Sequence, residues 1–158
     1  MTRRTLFITV IFVIAGVLSI YFYYPVAERK TIFSCTTELT LVRNYGMEST
    51  VKVNVVSQFY FYNNKTGVTS YKGAAETQGK STLVDRDVNY IWEEINSTNV
   101  IRLTYKDTMR RHNDNVPDEV WGDFARPGTS YYITLTEVAP TIWLIQDRKY
   151  PTYLCKER

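Results

Sequence analysis

The strongest constraint in this chain is one uninterrupted apolar run, Leu6–Tyr24, which holds no charged side chain. A helix rises about 1.5 Å per residue, so roughly 20 apolar residues cover a hydrocarbon core of about 30 Å. Thr9 and Ser19 are polar exceptions whose hydroxyls can bond back to helix carbonyls. Arg3 and Arg4 precede the run. Tyr21, Tyr23 and Tyr24 end it, where aromatic rings favour the headgroup level, and Pro25 stops the helix. The run therefore reads as a transmembrane helix. A cleaved signal peptide is the competing reading, but its apolar stretch is usually about 7–15 residues long. Ala27, with Pro25 two places before it, also makes a poor cleavage site.

Orientation rests on a small charge difference. Arg3 and Arg4 lie before the run and Arg29 and Lys30 just after it. The free amino terminus adds to the first pair and puts the N-terminus inside. The expected organisation is then a cytoplasmic N-terminus at 1–5, a transmembrane helix at 6–24, a juxtamembrane linker at 25–30 and an extracytoplasmic β domain at 31–158. Ala15 and Ser19 share one face of the helix at a small-xxx-small spacing, a candidate contact face for a second helix. Small residues also fall at this spacing by chance.

The part beyond the run is long enough for one domain with its own core. Of 19 basic residues, Arg3 and Arg4 precede the run. That leaves 17 against 16 acidic residues, a balance of +1. Such a surface offers no electrostatic case for nucleic acid.

Cys35 and Cys155 are the only cysteines, one near each end of this domain. In an oxidising compartment this placement suggests a disulfide. Two buried thiols or a metal pair are the alternatives. The metal pair is disfavoured because no C-x-x-C occurs and His112 is the single histidine. The sequons at Asn64 and Asn96 would matter only in a eukaryotic secretory pathway, and both read as turns.

Period-two alternation dominates the rest. Phe33 to Leu41 reads as a first strand and Val51 to Phe61 as a long second one. Asn63-Asn64-Lys65-Thr66-Gly67 closes a hairpin onto a strand over 68–72, which Gly73-Ala74-Ala75 should weaken. Thr82, Val84, Val88, Tyr90 and Trp92 share one face of a fourth strand, with Arg86 as an exception. Ile101, Leu103, Tyr105 and Met109 mark a fifth. Arg110–Pro117 is a polar loop, and Asp118–Phe124 suits one or two helical turns. Tyr131 to Leu135, Ile142 to Ile145 and Tyr153 to Cys155 complete the set. Strands at hairpin spacing predict an antiparallel meander. A bond between first and last strands would favour a barrel-like closure, with a β-sandwich as the alternative.

Candidate chemistry is thin. Gly73 to Ser81 imitates a phosphate loop but has the wrong spacing and is followed by a strand. Asp85, Asp87 and Asn89 begin like a calcium loop, yet Tyr90 stands where glycine is needed and Asn96 where a chelating glutamate belongs. His112 lies in a polar loop beside Arg110 and Arg111 with no triad partner at a suggestive spacing. Adjacent Glu93 and Glu94 point to opposite strand faces, which disfavours a hydrolase pair. Trp92, Trp121 and Trp143 are candidate cavity or rim aromatics; core packing is the commoner use of such residues. No cofactor is nominated.

Met1-Thr2-Arg3-Arg4, the single run Leu6–Tyr24 and a strand-rich tail carrying Cys35 and Cys155 together resemble the FidL-like family of small enterobacterial inner-membrane proteins. The resemblance covers the layout of the whole chain and transfers no site residue. Some family members are encoded beside membrane-anchored winged-helix activators of the ToxR and CadC type. The layout is also similar to the ToxS arrangement, in which a single-pass protein with a periplasmic β-barrel-like domain stabilises such an activator. The resemblance implies an inner-membrane accessory protein with a periplasmic domain, a lipid bilayer contact and a membrane-protein partner, and no catalyst. A lipocalin-like sensor or carrier of a small ligand is the alternative.

Overall fold

The computed structural model describes residues 13, 14, 16, 29–44, 50–95, 99–122, 124–147 and 153–158. Alternation of apolar and polar side chains builds eight strands in chain order. They are β1 (Thr31–Asn44), β2 (Thr50–Tyr62), β3 (Thr66–Thr77), β4 (Lys80–Ile95), β5 (Val100–Arg110), β6 (Ser130–Ala139), β7 (Ile142–Asp147) and β8 (Tyr153–Glu157). A short helix, α1 (Asp118–Trp121), lies between β5 and β6. Each strand pairs antiparallel with the next, and β8 returns to β1, so one mainly-β meander closes in a ring. A single closed sheet replaces the two-sheet alternative.

The inward face of β2 shows why the ring holds. Val51, Val53, Val55, Ser57, Phe59 and Phe61 are all buried, while Thr50, Lys52, Asn54 and Val56 face out. Facing them across the interior are Tyr71, Ala75, Val84, Val88, Tyr90, Leu103, Ile133 and Ile145. The aromatic and aliphatic side chains of the inward faces form one buried cluster inside the ring.

Three expectations change. First, β3 does not fade at Gly73-Ala74-Ala75 but runs on to Thr77. A Cβ at Gly73 would collide with the Asn54 carbonyl oxygen, so the glycine allows close approach of the β2 backbone. Second, Gly67 is inside β3, and the turn's positive φ falls on Lys65, at 61°. A Cβ at Gly67 would strike the Tyr90 ring, whose hydroxyl donates to the Tyr60 carbonyl oxygen at 2.9 Å. Third, Met109 faces outward. The register shift between Asn89 and Tyr90 puts an extra β5 residue between their partners, which reverses the alternation beyond Tyr105.

The seam is short. β1 and β8 pair only at Cys35 with Glu157 and Thr36 with Lys156. Cys35 and Cys155 form a disulfide across it, with Cα atoms 5.5 Å apart.

An up-and-down ring places its connections alternately at two ends. The end where β1 begins, here called proximal, also carries the β2–β3, β4–β5 and β6–β7 turns and the end of β8. The distal end carries the β3–β4 turn and the long β5–β6 connection with α1.

Of the apolar run, only residues 13, 14 and 16 are described, and they are helical. Among the described residues no helix is long and apolar enough to cross a membrane. The expected anchor ends Leu6 and Tyr24, and the contact pair Ala15 and Ser19, lie outside the described residues.

Candidate functional site

At the proximal end, Lys30 and the β2–β3 turn hold each other. Asn63 N–H donates to the Lys30 carbonyl at 3.0 Å, and Lys30 N–H donates to Asn63 Oδ1 at 3.2 Å. The turn then folds over Trp92 of β4. Trp92 N–H donates to the Lys65 carbonyl at 2.9 Å, and its indole Nε1 donates to the Thr66 carbonyl at 3.0 Å. Lys65 Nζ sits 3.9 Å above the Trp92 ring and 3.0 Å from Glu94. Ring attraction and an ion pair thus hold one exposed ammonium.

Outside this turn lies a half-open depression of about 550 Å³. Its lining includes Lys65, Ile91, Trp92, Glu93, Glu94 and Arg102. Ile91 is 42% exposed there. Arg102 pairs with Glu93. Hydrogen bonds with Tyr132 first and Glu93 second hold the Arg102 pKa above the ordinary arginine value. The depression therefore has an apolar floor and two rim ion pairs, Lys65–Glu94 and Arg102–Glu93.

The distal end is built differently. Arg86, the exception on the apolar face of β4, does point inward and is only 2% exposed. Its Nε donates to Asp114 Oδ2 at 2.8 Å, its Nη2 to Asp114 Oδ1 at 2.9 Å, and its Nη1 to Asp118 Oδ1 at 2.7 Å. Nη2 also reaches the Val116 carbonyl. Asp114 accepts further from the backbone N–H of Asp85 at 2.9 Å and of Val116 at 3.1 Å. Burial alone would raise the Asp114 carboxyl. Arg86 and these two amides outweigh it and hold the group below the usual carboxylate value. The stretch expected as a polar loop thus carries a buried carboxylate and a buried Val116, because Arg86 demands a partner. Val116, Trp121 and Ala125 plug this end.

The three tryptophans do not form one wall. Trp92 and Trp143 belong to an aromatic layer at the proximal end. Phe33 lies 5.2 Å from Trp143 and 5.8 Å from Phe61, and Phe61 lies 5.8 Å from Trp92. Trp143 Nε1 donates to Glu157 Oε2 at 2.7 Å beside the seam. Trp121 sits in the distal plug, 5.1 Å from Tyr71 and 5.5 Å from the Arg86 guanidinium carbon.

The other nominated residues have structural partners. Asp87 accepts from Arg111 Nη2 at 2.6 Å and from Ser70, and Asn89 donates to Asp107 at 2.6 Å. Gly73 to Ser81 forms the end of β3, a turn and the start of β4, with no helix to meet a phosphate. His112 is exposed. Among the described residues no group of His, Cys, Asp and Glu could hold a metal ion.

Sequence reasoning passed over Asp114, Lys65 and Arg102. A signal for Asp114 was available, since a lone arginine between inward valines calls for a buried acid. Lys65 and Arg102 come to line one depression only through the ring's register, which no local spacing reports.

These features define a class: a closed antiparallel β domain with an apolar interior, plugged at one end and carrying an open ion-paired depression at the other. Residues 73–155, from within β3 to within β8, match the model of the family described as FidL-like putative membrane protein, and the chain belongs to that family. No curated protein matches the chain.

Proposed function

We propose that this chain is a single-pass accessory protein of a bacterial inner membrane, with its N-terminus cytoplasmic and a barrel-like, ToxS-like domain in the periplasm. Its role is to bind and stabilise another membrane protein, for example a regulator of the ToxR or CadC type. The observation that carries the reading is the mutual hydrogen bonding of Lys30 and Asn63. It fixes the end of the linker 25–30 to the end of the domain that bears the open depression. Six residues span at most about 20 Å at roughly 3.3–3.6 Å each. A domain tethered to a helix ending at Tyr24 would therefore hold this end close to the bilayer, where membrane partners are met.

The alternative, a lipocalin-like carrier, has one observation in its favour. The Ser57 hydroxyl is buried inside the ring without a hydrogen-bond partner among the described residues. A ligand there would have to pass the buried Val116, Trp121 and Ala125 of the distal end or the proximal aromatic layer. The carrier reading takes second place for that reason.

The test is photocrosslinking in intact membranes from a reactive residue at Ala15. A specific adduct with a second membrane protein is the expected result. Recovery of this chain alone from repeated captures overturns the partner role.

A further inference from the structure

We propose that the proximal depression receives the extended juxtamembrane segment of the partner, docking an apolar side chain flanked by charges of both signs. The inference deepens the accessory reading and rests on it. The first argument is height. Lys30 is hydrogen-bonded to Asn63, and Lys65, two residues on, forms the rim. With at most about 20 Å of linker, the depression faces the layer through which a single-pass partner leaves the bilayer.

The second argument is chemistry. The outward residues of β4 after Leu83 are Asp85, Asp87 and Asn89, all engaged with neighbouring polar groups. Ile91 breaks that series, exposed among charges, with half-exposed Tyr132 beside Arg102. An apolar floor ringed by ions fits a peptide side chain.

The third argument selects between a peptide and a lipid surface. Both rim cations already have carboxylate partners, Lys65 with Glu94 and Arg102 with Glu93. The rim has no net charge, so lipid phosphates find no field to attract them. A peptide carrying an acid and a base can exchange with both pairs, because exposed ion pairs are weakly held.

The test places a photoreactive residue at Ile91, at Leu83 or at Ala15 of the full chain in intact membranes. Leu83 is exposed on the same strand toward the distal end. The expected result is an Ile91 adduct with a second protein, mapped by peptide sequencing to within about 10 residues of that protein's membrane span, a reach of roughly 30–35 Å. Leu83 should give none. Separately, Ile91→Asp, at an exposed position that preserves the fold, should lower recovery of that protein about ten-fold. An Ile91 adduct with lipid, with a second copy of this chain or with a site remote from the span overturns the inference. So does unchanged recovery with Ile91→Asp. An adduct at Ala15 with none at Ile91 overturns the docking site and leaves the accessory role standing. Silence at both positions overturns both.

Discussion

Arg86 and Asp114 show what one inward charge imposes on a small fold. Breaking a buried pair leaves an uncompensated ion and costs about 3–5 kcal/mol. Asp114→Ala should lose that amount in urea unfolding of the domain. Replacing both partners with apolar residues, which often rescues buried pairs, should fail here. The Asp114 carboxylate also accepts the Asp85 and Val116 amides, and these would remain buried without an acceptor. The same carboxylate sets an acid limit. Its folded pKa is depressed, so its contribution is fully present above the unfolded value of about 3.9 and is lost as pH falls through the lower folded value. Wild type should therefore lose stability steeply below about pH 4 in an acid titration followed by circular dichroism, and Asp114→Asn should flatten that slope. Gly67 is a second single-residue constraint. Gly67→Ala should displace the Tyr90 ring and cost about 1–3 kcal/mol, the usual price of overpacking a filled core.

Among the elements, β1 and β8 make the weakest join, with two paired positions and one disulfide. Closing a loop of 120 residues contributes about 4–5 kcal/mol in the chain-entropy model. Cys35→Ser should lose that amount in denaturant unfolding, and amide exchange should quicken first in β8. The strands themselves were legible in the sequence. Valine and aromatic alternation marked β2, and two cysteines at opposite ends of the domain pointed to its closure. What stayed hidden was what alternation does not encode. Gly67 and Gly73 look like turn formers in one dimension, and only the neighbouring strand's approach shows them to be clearances. Met109 fits the apolar period until the β5 bulge turns it outward. The depression joins a turn to β4 and β5, so it exists only in the assembled register.

At the scale of the whole molecule, the ring interior is a phenol-rich medium. Burial first, and neighbouring phenols second, raise the pKa values of Tyr71 and Tyr105. Tyr90 and Tyr153 shift the same way, again with burial as the main cause. Their raised folded values make the sign opposite to that of Asp114. Stability is full below the unfolded tyrosine value of about 10 and falls as pH climbs toward the higher folded values. Tyrosinate absorbance from these four should therefore rise together with loss of circular dichroism above about pH 10. Most of the fold's pairings are local hairpins; the seam is the exception. Ribosomes make β1 first and β8 last, so throughout synthesis the strand that will complete the circle is missing. For that interval the Cys35 thiol has no Cys155 to pair with. The bond to Cys155 can therefore serve as a chemical receipt that the domain arrived in full.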